Sequence, residues 1–418
     1  MKLNIRMSAA VLAVLLAAAT GCSDKATGGS GGTGKDGVKH GPGVTDTTIK
    51  LGVITDLTGP YAPLGKGLTQ AEQLYVEEIN KAGGICGRKL ELVVRDAGYD
   101  VQKSMSAYSE LQGSTLAIPQ LIGSHVASAL KTRINSDKVL TIPMAWSNTL
   151  LGSEYLQITG PTYDVDMING IDWLVKTGAV KKGGTLGHIY FDNDYGASAL
   201  LGTKYAADKH GLKVVEQKIK PTDTDLTNQA GALAKQKVDG ILLSVGPAQS
   251  ASAAGVARVA GFKGPILGSN SAYAKQLLAT KAKPALLQGF YIATAGIPIQ
   301  EDLPALKKIR DGYAAKFPGQ PQDSAVVTGY SSGEIIGNAI KKACASKDLT
   351  REGLIKAHRS TNAFDNGQGG TLDFTYFDKP PTLQTFIVQP DEQAISGTKI
   401  VQNRTESELV KGYKVPLA

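Results

Sequence analysis

The sequence predicts an α/β fold built on parallel sheets and divided between two domains. Short β-rich runs alternate with longer segments whose apolar residues recur every three or four positions, the mark of strand–helix–strand units. Glycines stop the helical segments where strands are due to begin. The body from about residue 48 to 418 is also long enough for two domains.

The elements follow in order. Residues 49–55 (IKLGVIT) read as a strand that ends in a Gly-Pro turn. Leu68, Ala71, Tyr75, Ile79 and Ala82 then form one helical face, and Gly83-Gly84 stops that helix. Residues 90–95 (LELVVR) are the next strand. The unit recurs with strand 186–191 (LGHIYF), helix 197–210, a stop at Gly211 and strand 213–219 (KVVEQKI). It recurs again with strand 240–245 (GILLSV), helix 249–260, a stop at Gly261 and strand 265–267.

Upstream of this body lies a different chemistry. Lys2 and Arg6 precede an apolar run over 9–20, too short to cross about 30 Å of hydrocarbon and suited to an export signal over 1–21. Ala19-Thr20-Gly21-Cys22 resembles a bacterial lipobox, in which the cysteine is acylated. Ordinary cleavage after Ala17-Ala18-Ala19 would instead leave Cys22 as a free thiol, a liability in an oxidising compartment, so the lipid anchor is the favoured reading. Residues 22–47 are rich in Gly, Ser, Thr, Lys and Asp. They read as a flexible tether with a typical span of about 25–30 Å.

Charge and motifs exclude several function classes. The net charge is +8, and loss of Lys2 and Arg6 with the signal leaves +6 (8 − 2). Basic residues are scattered among acids, so no nucleic-acid stripe is expected. The histidines (40, 125, 188, 210 and 358) lack metal-ligand spacing, and neither HExxH nor a P-loop occurs. "GSHVA" lacks the second glycine of a nucleophile elbow, and the Gly-rich run over 28–34 precedes the first strand, so it is no dinucleotide fingerprint. Neither a cofactor nor catalysis is expected. In parallel sheets ligands sit beyond the carboxyl ends of strands. The loops there are 56–65, 123–127, 145–148, 192–196, 246–250 and 268–271, rich in Gly, Ser, Asn and aromatic residues.

The order of these motifs resembles a family. "GVITDLTGPYAPLGKGLTQAEQLYVEEINKAGGICGRKLELVVRDAGYD" is similar to the opening of substrate-binding proteins of branched-chain amino acid ABC transporters. The similarity continues through "IGSHVAS", "IPMAWSN", "ITGPTYDVD", "DNDYGASAL" and "AGFKGPILGSN". It implies a type I periplasmic-binding-protein fold: two doubly wound parallel-sheet lobes, three crossover strands, and a small ligand closed between the lobes for delivery to permease subunits. Lobe one would be 48–160 and 295–383, and lobe two 161–294 and 384–418. A monomer is implied. The same fold also serves as a ligand sensor of receptors or regulators, an alternative that the sequence leaves open.

The resemblance also implies a site. Ala127, with Ser128 beside it, falls where the family has a carboxylate-binding Ser. Ala145-Trp146-Ser147 falls at an Ala-Ala-Thr run, with Ser147 keeping the hydroxyl. Ser147 and the backbone from Ser124 to Ala127 would hold a carboxylate, and Trp146, Tyr195, Tyr61 and Tyr163 would wall an apolar body. One family Tyr falls at Gly246 and is lost. The family's acid for an ammonium falls at Asn270, so Asp164, Asp166 or Asp56 would have to supply that charge. The expected ligand is an amino acid or a carboxylic acid or amide lacking the α-ammonium, short amides and urea included. Once Cys22 is acylated, Cys86 and Cys344 remain. Cys344 lies on the apolar stripe of Ile336 and Ile340, and both cysteines fall in lobe one. A disulfide between them would contribute about 4–5 kcal/mol by loop entropy; the other reading is two separate buried thiols.

Overall fold

The computed structural model describes residues 32–417. Near-continuous runs of Ile, Leu and Val make strands covered on both faces. After the short β1 (Lys39–His40), β2 (Thr48–Thr55) is such a strand. The chain then alternates through α1 (Ala62–Lys81), β3 (Lys89–Asp96), α2 (Val101–Leu111), β4 (Ala117–Ile122), α3 (Ser124–Asp137) and β5 (Thr141–Met144). Strands β2 to β5 form one parallel sheet in the order β3-β2-β4-β5.

Helix α4 (Tyr163–Lys176) leads to a second sheet. It is built through β6 (Thr185–Phe191), α5 (Asp194–His210), β7 (Lys213–Ile219), α6 (Thr227–Lys235), β8 (Gly240–Ser244), α7 (Pro247–Val259), β9 (Ile266–Ser269), α8 (Lys283–Leu286) and β10 (Phe290–Thr294). The chain returns to the first sheet with α9 (Pro304–Lys316), α10 (Ser324–Ala345), β11 (Asp348–Leu349) and α11 (Arg351–Arg359). It then crosses back for β12 (Thr385–Pro390), β13 (Thr398–Thr405) and α12 (Glu408–Lys411). The second sheet runs β13-β12-β10-β9-β8-β6-β7, parallel from β10 to β7, with β12 and β13 antiparallel at one edge. The alternation read from the sequence is thus the fold.

Helices α1 and α10 pack closely in lobe one because α10 presents glycine. A Cβ at Gly329 would overlap the Leu68 backbone, and one at Gly333 would lie 2.6 Å from the Tyr75 ring. The same lobe holds the Cys86–Cys344 disulfide, with Cα atoms 6.5 Å apart, inside the usual range.

One expectation needs correction. Residues 32–47, read as part of a flexible tether, pack against lobe one. Strand β1 pairs in parallel with β11, Thr33 bridges Lys39, and Val38 and Val44 are buried. The cause is Arg88, whose side chain is fully buried beneath the segment. Its Nε donates to Thr45 O (2.7 Å), its Nη1 to Asp36 (2.8 Å), and its Nη2 meets His40 Nε2 (2.9 Å). A buried guanidinium needs such partners, and Arg88 holds the Asp36 carboxyl down to about 2. Composition alone did not reveal this distant clasp. The Cys22 lipobox, the signal and tether residues 22–31 lie outside the described residues. No described helix is long and apolar enough to cross a membrane.

Candidate functional site

The strand ends of both sheets face one another across a cleft, and loops there bring aromatic residues together. Asp56 caps the loop after β2 by accepting the N–H groups of Gly59 and Tyr61, which seats Tyr61 at the start of α1. Tyr61 and Tyr99 have ring centroids 4.8 Å apart. Tyr163, at the first turn of α4, lies 4.5 Å from Tyr195 and 6.2 Å from Trp146. Asn193 caps α5 by accepting the N–H of Tyr195 and Gly196, and so aims Tyr195 across the cleft. Burial pushes the phenols of Tyr61, Tyr99 and Tyr195 up and that of Tyr163 to about 12, so all four stay protonated as donors.

These residues open into a cavity that continues into lobe one. Its wall passes from Tyr195, Asn270 and Ser271 through Trp146, Tyr163 and Ser124 to Leu64 and Leu68 of α1 and Thr328, Ser331 and Ile335 of α10. The segment from Asn366 to Leu372 closes one side, and Thr294 to Ile297 with Arg404 forms the hinge side. The cavity volume is about 130 Å³. The part of the cavity bordered by α1 and α10 is called the channel below. Among the described residues its lining contains no Asp or Glu. Several of its donors are buried without a partner: Tyr61 Oη, Ser124 Oγ and Trp146 Nε1. Ser124 opens α3, a fourteen-residue helix capped by Gly123 at φ 107°. The free N–H groups and positive dipole end of that helix favour an anion.

The lobes touch across the cleft. Ser147 Oγ donates to Asp194 O at 3.1 Å, Asn148 N to Ser198 Oγ at 3.2 Å, and Asn193 Nδ2 to Tyr99 Oη at 3.4 Å.

The structure brings Tyr61, Ser124, Trp146, Tyr163, Tyr195 and Asn270 to the cavity wall. It does not bring the others. Ser147 is buried and points to Asp194 and Thr149, because it caps the short turn after β5. Ser128 bonds Thr149 Oγ1 at 2.9 Å. Ala127 and Ala145 are buried in the core. Asp164 accepts from Tyr413 Oη at 2.8 Å and from the Val165 N–H, facing the C-terminal segment. Asp166 accepts from Thr385 Oγ1, and Asp56 is used by its own loop. Among the described residues no acid thus lines the cavity beside Asn270, whose Oδ1 accepts from Ser271 Oγ. His125, half-buried, meets Tyr99 O at 3.3 Å. Sequence reasoning missed the α1–α10 channel, the segment 366–372 and Arg404. Leu68 was visible only as part of a core stripe, and nothing local marks the rest.

Comparisons with known proteins agree with this architecture. Residues 48–396 match the family model described as periplasmic binding protein. A solved structure of a fatty acid ABC transporter substrate-binding protein, from Thermomonospora curvata, is 61% identical over 92% of this chain and 99% of its own, with a TM-score of 0.91. Leu/Ile/Val-binding protein homolog 8 of Brucella abortus is 26% identical over 307 residues, 70% of this chain and 76% of its own. A branched chain amino acid ABC transporter structure from Thermus thermophilus, with bound valine, shares the fold at a TM-score of 0.78 and 20% identity, covering 88% of this chain and 98% of its own. The chain belongs to the periplasmic binding protein family, with the type I fold of the substrate-binding proteins of branched-chain amino acid ABC transporters.

Proposed function

We propose that this protein captures an aliphatic carboxylate, a fatty acid, between its two lobes and delivers it to an ABC permease on the outer side of the cytoplasmic membrane. One observation carries the reading: a cavity whose wall offers aliphatic side chains and unpartnered N–H and O–H donors but, among the described residues, no carboxylate. An α-amino acid needs a counter-charge or several acceptors for its ammonium, and a desolvated ammonium without them binds poorly. A fatty acid needs only donors and apolar length. Each buried CH₂ contributes about 0.8 kcal/mol, and each hydrogen bond to a charged group about 1.5–3 kcal/mol. The 61% identical relative is named for the same ligand class.

In this reading the sheet with α9 to α11 is the lobe that receives the acyl chain, and the second sheet closes over it about the three crossings. Cys22 carries a diacylglyceryl anchor, whose two chains suffice for stable membrane attachment, and the protein acts as a monomer. A thermal-shift panel on protein stripped of carried-over lipid tests the ligand. Saturated fatty acids at about 100 times their dissociation constant raise stability by about 2.7 kcal/mol, while Leu, Ile, Val, Phe, urea and sugars leave the midpoint unchanged. Stabilisation by a branched-chain amino acid alone would overturn the reading.

A further inference from the structure

We infer that Arg404 neutralises the ligand's carboxylate, which places the head group at the hinge, on β13 of lobe two, rather than at the start of α3. This rests on the reading that the ligand is an aliphatic carboxylate. Arg404 is the sole charged side chain on the cavity wall among the described residues. It is half-buried, and no described carboxylate pairs with it. Its one hydrogen bond among the described residues runs from Nη2 to Ala295 O at 3.1 Å, and its buried Nε has no partner. The guanidinium rests over the Phe386 ring at 5.1 Å, which fixes its stem without neutralising it. Gly370, also on the wall, leaves it room, since a Cβ there would overlap Nη1. A cation held this way, in an acid-free wall, has no anion until a ligand supplies one.

A second donor lies near the residue that anchors Arg404. A Cβ at Gly160 would lie 2.8 Å from the Ala295 Cβ and 3.3 Å from Trp146 Nε1. The unpartnered indole N–H therefore borders the residue that anchors Arg404. Guanidinium and indole together offer a carboxylate charge-assisted and neutral hydrogen bonds, and the acyl chain then follows Leu64, Leu68 and Ile335 into lobe one.

The test measures binding of dodecanoate and hexadecanoate, with 1-dodecanol as the uncharged control, to lipid-stripped wild type, Arg404→Gln, Arg404→Lys and Ser124→Ala. Arg404→Gln weakens both acids at least tenfold and changes 1-dodecanol by less than twofold. Arg404→Lys retains most of the preference for acid over alcohol, which separates loss of charge from loss of fold, and Ser124→Ala costs less than Arg404→Gln. Unchanged acid binding in Arg404→Gln, or equal losses for acid and alcohol, overturns the inference while leaving the fatty-acid reading intact. Wild type that binds neither acid overturns both.

Discussion

The cavity has two regions of contrasting origin. The cleft end is made of loops at the carboxyl ends of strands: Tyr61 after β2, Ser124 after β4, Trp146 after β5, Tyr195 after β6 and Asn270 after β9. The channel end is made of helix faces, Leu64 and Leu68 on α1 against Thr328, Ser331 and Ile335 on α10. The cleft end presents hydroxyl, amide and indole groups. The channel end offers length and apolar surface. Curated relatives are named for branched-chain amino acids; in the proposed reading this chain takes a longer ligand along the faces of α1 and α10 that border the cavity, with the strand-end loops still in place.

The two regions were unequally legible in the sequence. Topology places strand-end loops at a ligand site, and the family resemblance singled out Tyr61, Ser124, Trp146, Tyr195 and Asn270 within them. Ser147 and Ser128 carry the same signal, yet their hydroxyls are taken by Asp194 and Thr149; motif position does not encode side-chain direction. The channel was illegible for a different reason. Leu68 repeats with Ala71 and Tyr75 as a core stripe does, and whether one of its residues also borders a cavity depends on α10, some 260 positions away. Arg404 sits in a strand of alternating burial like any edge residue. Period and punctuation made β2, β3 and β6 to β9 legible, whereas β1, β4, β5 and β10 were not named as strands.

Four variants break or sharpen the contrast. The largest effect belongs to the channel: Thr328→Trp fills it and weakens hexadecanoate binding by about a hundredfold, near 2.7 kcal/mol. Hexanoate, which does not reach as far, loses much less. Titration of both acids checks this, and equal losses would mean that the acyl chain lies elsewhere. Next comes the cleft: Trp146→Phe keeps the ring and removes the unpartnered N–H, weakening dodecanoate about three- to tenfold without altering chain-length preference. Smaller still is Ser147→Ala. Its hydroxyl holds Asp194 across the lobes rather than a ligand, so affinity falls about two- to threefold, within the net worth of one hydrogen bond. A tenfold loss would restore Ser147 to the binding site.

The smallest effect is one of pH. Glu334 of α10 accepts from Asn366 Nδ2 at 3.0 Å beside the channel, and burial raises its carboxyl to about 7 from 4.5. Because the folded pKa is the higher one, this group favours folding fully below pH 4.5, and that contribution is lost as pH rises toward about 7. Glu72 of α1, buried with both oxygens unpartnered, is pushed up by the same desolvation. Glu334→Gln therefore raises the melting midpoint at pH 8 relative to wild type more than at pH 4.5. Melting curves across that range check the slope, and a parallel shift at every pH would show that Glu334 does not titrate there.

The central claim is that the acid-free channel takes an aliphatic carboxylate and not an amino acid, and isothermal titration calorimetry of lipid-stripped protein with dodecanoate and with leucine tests it most directly. The account predicts saturable one-to-one binding of dodecanoate, with the negative heat-capacity change of apolar burial, and no measurable heat with leucine. Saturable one-to-one binding of leucine with none of dodecanoate would contradict it.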